Sequence, residues 1–216
     1  AAPMLVALVA IPLLIGGMGK ERFGLLAVIW MGVGYFSLFD LGLGRALTKM
    51  VSERLGSSST YDLGPLIWTA LLMLTMLSTV GSMVLILVSP ALITGVLQVP
   101  QFLHPEAIAA FRLIAIGLPV VIVTAGLVGL LEAHQRFGTI AAVRIPLGML
   151  TFLGPLFTLQ FTPSIAWATV ALLFSRIVAL VVYCLVAARV QEALRRPQWL
   201  DPGQVRPLVS FGGWLT

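Results

Sequence analysis

Charged side chains are scarce in this sequence. Asp, Glu, Lys and Arg make up 10% of the 216 residues, whereas hydrophobic residues make up 59%. About a quarter of a soluble globular domain is charged, and the mean hydropathy of +1.06 is too high for such a domain. The net charge of +5 does not indicate nucleic-acid binding, because the cations lie at the ends of apolar runs and form no basic patch. We therefore predict a membrane protein.

The residues and motifs of common catalytic sites are also missing. Cys184 is the one cysteine, so the sequence has neither a disulfide framework nor a cysteine-based metal site. No Walker-type phosphate loop is present, and Gly42-Leu-Gly44 lacks the third glycine and the preceding strand of a dinucleotide site. We expect no enzyme activity, no metal and no cofactor.

Six long apolar segments predict an all-α integral membrane fold. Runs of this length do not alternate in polarity as barrel strands do, and helices satisfy their own backbone in lipid. The six segments cover about 1–18, 24–46, 65–90, 107–131, 139–160 and 164–188. A basic connector at 189–206 and the start of a seventh helix at 207–216 follow, and we expect further chain beyond both ends.

The distribution of cations predicts the orientation. The connectors after segments one, three and five hold only Lys20 and Arg22, which is two cations. The connectors after segments two, four and six hold nine: Arg45, Lys49, Arg54, Arg136, Arg144, Arg189, Arg195, Arg196 and Arg206. The positive-inside rule places the nine, and the N-terminus, in the cytoplasm.

Arg176 is the first candidate binding residue, because it stands near the middle of segment six. A cation there costs about 2.5–3.5 kcal/mol on insertion scales. Thr169 and Tyr183 lie seven residues to either side, on the same helical face. Such a polar stripe predicts either a cation that receives an anionic group or a structural arginine paired with a neighbouring helix.

Four other charged residues are candidates with simpler alternatives. Arg112 can serve the site or snorkel to the outer interface, and Arg144 can serve it or contact anionic headgroups. Asp40 and Arg45 are five apart and do not face each other on a regular helix. Gly42 and Gly44 would let the helix open there, so the pair is either a gate or ion site or a fixed helix end.

Three stretches carry a family resemblance. Gly19–Arg22 with Phe23-Gly24 and Asp40-Leu-Gly-Leu-Gly-Arg45 resembles the start of polysaccharide flippases of the MATE/MOP exporter superfamily, the Wzx-type carriers. Gly129-Leu-Leu-Glu-Ala-His-Gln-Arg-Phe137 is similar to their connector between helices four and five, and 209–216 to the entry of their seventh helix.

The resemblance implies a six-helix N-terminal lobe of a two-lobed carrier in the bacterial inner membrane. It would move a lipid-linked oligosaccharide by alternating access, with membrane lipids, a polysaccharide polymerase and glycosyltransferases as partners. Two other interpretations stay open. A drug or metabolite antiporter would share the fold, although cationic drugs call for buried carboxylates. A membrane scaffold for glycan assembly would need no transport.

Overall fold

The computed structural model is helical in almost all of what it describes, residues 2–36, 42–56 and 62–214. No strand occurs in these ranges, so the all-α prediction is confirmed. The eight α-helices of the described residues are α1 (Ala2–Met18), α2 (Lys20–Phe36), α3 (Leu43–Gly56), α4 (Gly64–Ala91), α5 (His104–Ala133), α6 (Phe137–Leu159), α7 (Ile165–Val190) and α8 (Pro202–Trp214).

Among the described residues, four helical segments are long and apolar enough to cross a membrane. These are Gly64–Val96, which is α4 with a π-helical turn at Leu92–Val96, Gln101–Ala133, which is a 3-10 turn with α5, and the helices α6 and α7. Helix α1 is apolar too, but its 17 residues rise only about 26 Å against a hydrocarbon core of about 30 Å. The count of six membrane crossings stays a prediction.

The stretch predicted as one apolar segment at 24–46 differs from the structure. Helix α2 ends at Phe36 and α3 begins at Leu43, so the described parts of this stretch belong to two helices. Gly42 has a φ of +72°, a left-handed conformation that favours glycine, and its carbonyl accepts the first bond of α3 from Ala46 N at 2.8 Å. Glycine at 42 permits this helix start, and the prediction of one membrane segment over 24–46 stays a prediction, because 37–41 lie outside the described residues.

The basic connector also contains more helix than predicted. A 3-10 turn spans Glu192–Arg195, and α8 begins at Pro202, five residues before the predicted start of a seventh helix. Proline is favoured in the first turn of a helix, where its missing N–H costs nothing. Pro207, which the prediction placed at the helix entry, therefore lies inside α8.

The chain divides into two compact units. Unit 1 is Ala1–Tyr35, Val80–Leu118 and Arg144–Val178, and unit 2 is Phe36–Thr79, Pro119–Val143 and Ala179–Thr216. Each of the four long helices contributes one part to each unit.

Unit 1 packs α2, α5, α6 and α7 around apolar side chains and small residues. Leu26 and Ile29 of α2 and Ala110 of α5 are almost fully buried. A Cβ built on Gly154 of α6 would come within 3.3 Å of the Cβ of Ala171 on α7, so these two helices pass close together. Small residues allow such approaches between membrane helices.

Unit 2 packs α3 against α8 and against α5. A Cβ on Gly129 would lie 2.5 Å from Thr48 Oγ1 and 3.2 Å from the carbonyl oxygen of Gly44. The connector before α8 is held to α4 by two hydrogen bonds, from Trp68 Nε1 to the carbonyl of Ala193 (3.1 Å) and from Asp201 N to Thr69 Oγ1 (2.9 Å). The connector is thus an ordered part of this unit.

Candidate functional site

Arg176 lies in unit 1 on α7, about three turns from the start of the helix at Ile165. Its Nε is buried, and within the described residues no acceptor reaches that atom. A buried donor without a partner costs about 1–3 kcal/mol and asks for an explanation. Arginine only donates hydrogen bonds, so this position is complementary to an oxygen-rich acceptor.

The burial of α7 shows that Arg176 belongs to the inward side of the helix. Ala168, Leu172, Ser175 and Ala179 are buried at helical spacing. The opposite side exposes large apolar residues, namely Trp167, Val170, Phe174, Ile177, Val181 and Leu185. This division fits a helix with one face toward lipid and a polar residue kept away from it.

Thr169 and Tyr183 share the buried side of α7, but their hydroxyl protons are used within the chain. Thr169 is fully buried and donates to the carbonyl of Ile165 at 2.8 Å. Tyr183, which is 4% exposed, donates to the carbonyl of Ile140 at 3.3 Å and belongs to unit 2. A threonine hydroxyl that donates one hydrogen bond can still accept another. Their assignment to the substrate stays a prediction.

The remaining predicted cations are exposed. Arg112 of α5 and Arg144 of α6 belong to unit 1, and Arg45 of α3 belongs to unit 2. Asp40 lies outside the described residues, so the predicted gate or ion pair of Asp40 with Arg45 has no structural description. Of the predicted site residues, unit 1 therefore contains Arg176, Thr169, Arg112 and Arg144.

Glu106 joins three helices of unit 1, and sequence reasoning missed it. Its Oε2 accepts a hydrogen bond and ion pair from Arg22 Nε of α2 at 3.2 Å. Its Oε1 accepts the backbone N–H of Ile165, the first residue of α7, at 2.5 Å. A carboxylate at a helix start satisfies an orphan N–H and interacts favourably with the helix dipole. One feature of the sequence could have singled out Glu106: it is the first charged residue after Asp62.

Trp30 of α2 is the second residue that the sequence prediction missed. Its ring meets Phe23 (centroids 6.0 Å apart) and Phe152 of α6 (5.1 Å), both nearly edge-on. Its Nε1 is buried, and no acceptor among the described residues reaches it. Trp30 and Arg176 are the two residues of the described chain whose buried side-chain donors lack a partner.

Two further features do not form part of this site. An open groove of about 490 Å³ lies in unit 2, lined by Leu200, Pro202, Val205, Arg206, Val209 and Ser210. Within the described ranges no group of three or more His, Cys, Asp or Glu residues could hold a metal ion. The groove contains none of the residues predicted to bind substrate.

Comparison with known proteins gives a family and a relative. Residues 2–216 match the family described as "Polysaccharide biosynthesis protein". The chain is 25% identical over 218 residues to the protein named "Putative O-antigen transporter" from Shigella flexneri, covering 100% of this chain and 50% of that protein. The chain thus spans about half the length of this curated relative. No solved structure matches significantly. These findings confirm the family resemblance stated from the sequence.

Proposed function

The chain belongs to the family of polysaccharide biosynthesis proteins, and we propose that it carries a lipid-linked oligosaccharide across the bacterial inner membrane. The substrate is a sugar chain on a polyprenyl diphosphate. The chain supplies the N-terminal six-helix lobe, and a second lobe completes the carrier. It translocates its substrate and does not transform it. The apolar spans and the relative named as an O-antigen transporter support this proposal.

The observation that carries the proposal is the buried Nε of Arg176. A guanidinium presents several N–H donors in a fixed plane, and this geometry suits the oxygens of a phosphate. A diphosphate supplies both the charge and the acceptors that the described residues do not offer to Nε. Arg176 would bind this group while the lipid chain stays in the bilayer.

Alternating access describes how such a site would work. In carriers with paired repeats, substrate binds near the bilayer midplane and two lobes rock around it. Arg176 lies near the middle of α7 and would form the site of this lobe. The exposed cations Arg112 and Arg144 would line the same route and attract the diphosphate by charge.

The surroundings follow from the cation distribution. With nine cations in one set of connectors and two in the other, the basic connectors and the N-terminus face the cytoplasm. Membrane lipids surround the apolar faces. The glycosyltransferases that build the substrate would act on one side of the membrane, and the polymerase that extends its sugar chain would act on the other.

The proposal is tested in cells that lack the native gene and carry the full-length protein. We expect Arg176→Ala to abolish surface polysaccharide while the protein still inserts into the membrane. Cys184→Ala is the matched control, because Cys184 lies on the same helix and is exposed. Normal export by a well-expressed Arg176→Ala protein would remove Arg176 as the substrate site.

A further inference from the structure

Trp30 and Arg176 share a property that neither shares with other described residues. Each has a buried side-chain N–H without a partner, and both belong to unit 1. Indole and guanidinium groups donate hydrogen bonds and do not accept them. Two donors cannot satisfy each other, so each calls for an acceptor oxygen that the described residues do not supply.

Glu106 shows that α2 and α7 start close together. One carboxylate contacts Arg22 in the first turn of α2 and the N–H of Ile165 at the start of α7. Trp30 follows Arg22 by eight residues, which is a rise of about 12 Å, and Arg176 follows Ile165 by eleven, a rise of about 16 Å. With Arg22 and Ile165 taken as level, the two residues differ in depth along the helix axes by about 4 to 5 Å.

Helix α6 gives the same offset independently. Phe152 contacts the ring of Trp30, and Gly154, two residues later, faces Ala171 of α7. Helices α6 and α7 are joined by five residues and run antiparallel, so Phe152 lies level with residue 173. That level is three residues before Arg176, again about 4 to 5 Å along the helix axis.

We propose that Trp30 is a sugar-binding residue whose indole N–H donates to an oxygen of the first sugar attached to the diphosphate. This inference rests on the proposed function, in which Arg176 binds the diphosphate. The offset between the two residues along the helix axes is one that a diphosphate and its attached sugar can span. The edge-on contacts with Phe23 and Phe152 hold the indole in place, so its N–H is oriented before substrate arrives.

The test compares two ligands on the purified full-length protein. One is a polyprenyl-diphosphate monosaccharide, and the other is the same polyprenyl diphosphate without sugar. Trp30→Phe keeps an aromatic ring and removes the donor. We expect it to weaken binding of the sugar-bearing lipid about 3- to 10-fold, the effect of one hydrogen bond, and to leave binding of the sugar-free lipid unchanged.

Two further variants separate this inference from the proposed function. Arg176→Gln should weaken binding of both lipids. Trp167→Phe, the same substitution at an exposed position of unit 1, should weaken neither. If Arg176→Gln affects neither lipid, the proposed function fails. If Arg176→Gln affects both but Trp30→Phe weakens both equally or neither, the sugar assignment of Trp30 is overturned.

A measurement on the unsubstituted protein covers the case in which Trp30→Phe does not fold. Each tryptophan gives one indole ¹⁵N–¹H signal, and substituting the other tryptophans of the full-length protein in turn identifies the Trp30 signal by elimination. The Trp30 signal should shift when the sugar-bearing lipid is added and stay in place with the sugar-free lipid. A signal that does not respond to the sugar would overturn the inference.

Discussion

At the scale of single residues, Arg176 and Glu106 show two ways of keeping a charge in an apolar protein. Glu106 is fully engaged, with one oxygen on Arg22 and the other on the N–H of Ile165. Arg176 keeps a buried donor without a partner among the described residues. Satisfied charge stabilises structure, whereas an unsatisfied donor is an opening for a ligand. Glu106 therefore matters for stability and Arg176 for binding.

Glu106 variants should rank in stability by the number of contacts that they retain. Glu106→Gln loses the ion pair with Arg22 but keeps an oxygen for Ile165 N, while Glu106→Ala loses both. We expect a loss of about 1–3 kcal/mol for the glutamine variant and a larger loss for alanine. Thermal unfolding in detergent measures the order.

The matched control is Glu53→Gln on α3. Its pair with Lys49 at 3.5 Å joins two largely exposed side chains one turn apart. Exposed pairs contribute little to stability, so this variant should unfold near the wild-type temperature. Equal effects of Glu106→Gln and Glu53→Gln would contradict a structural role for Glu106.

At the scale of helices, small residues set the spacing in unit 2. Gly129→Ala would place a Cβ 2.5 Å from Thr48 Oγ1 and 3.2 Å from the backbone of Gly44. Because the backbone cannot give way easily, we expect α3 and α5 to separate and stability to fall by about 1–3 kcal/mol. Thermal unfolding of the purified variant measures this loss.

Gly138→Ala on α6 provides the comparison for that prediction. A Cβ at this position meets nothing within 4 Å. Alanine favours helix over glycine by about 0.5–1 kcal/mol, so Gly138→Ala should be neutral or stabilising. A Gly129→Ala protein as stable as Gly138→Ala would show that α3 and α5 do not pass as closely as described.

Long apolar runs could be predicted from the sequence, and contacts between helices could not. The segments predicted at 65–90 and 139–160 lie within one or two residues of α4 and α6, because prolines and polar residues bound them. The helix start at Leu43, inside the segment predicted at 24–46, was not predicted, since it follows a positive φ at Gly42 that hydropathy does not report. Arg176 was predicted as a site residue from its cost in lipid, and the structure adds the unpartnered donor. Trp30 was missed because an unpartnered N–H is visible only once the neighbours are in place.

At the scale of the whole molecule, orientation can be tested with single cysteines. The background is the full-length protein with its native cysteines, Cys184 included, replaced by alanine. Phe102→Cys then lies after α4 and Trp199→Cys in the basic connector, and both native side chains are exposed. The positive-inside rule predicts that a membrane-impermeant maleimide labels position 102 in intact spheroplasts and position 199 only after permeabilisation. The reverse pattern would contradict the proposed orientation.

In the proposed carrier, Arg176 receives the diphosphate of a lipid-linked sugar during transport. The most direct measurement is translocation of a fluorescent polyprenyl-diphosphate sugar in liposomes that contain the full-length protein, wild type against Arg176→Ala. We predict transport by the wild type and its loss in the variant. Absence of transport by a folded wild type, or equal transport by both proteins, would contradict the claim.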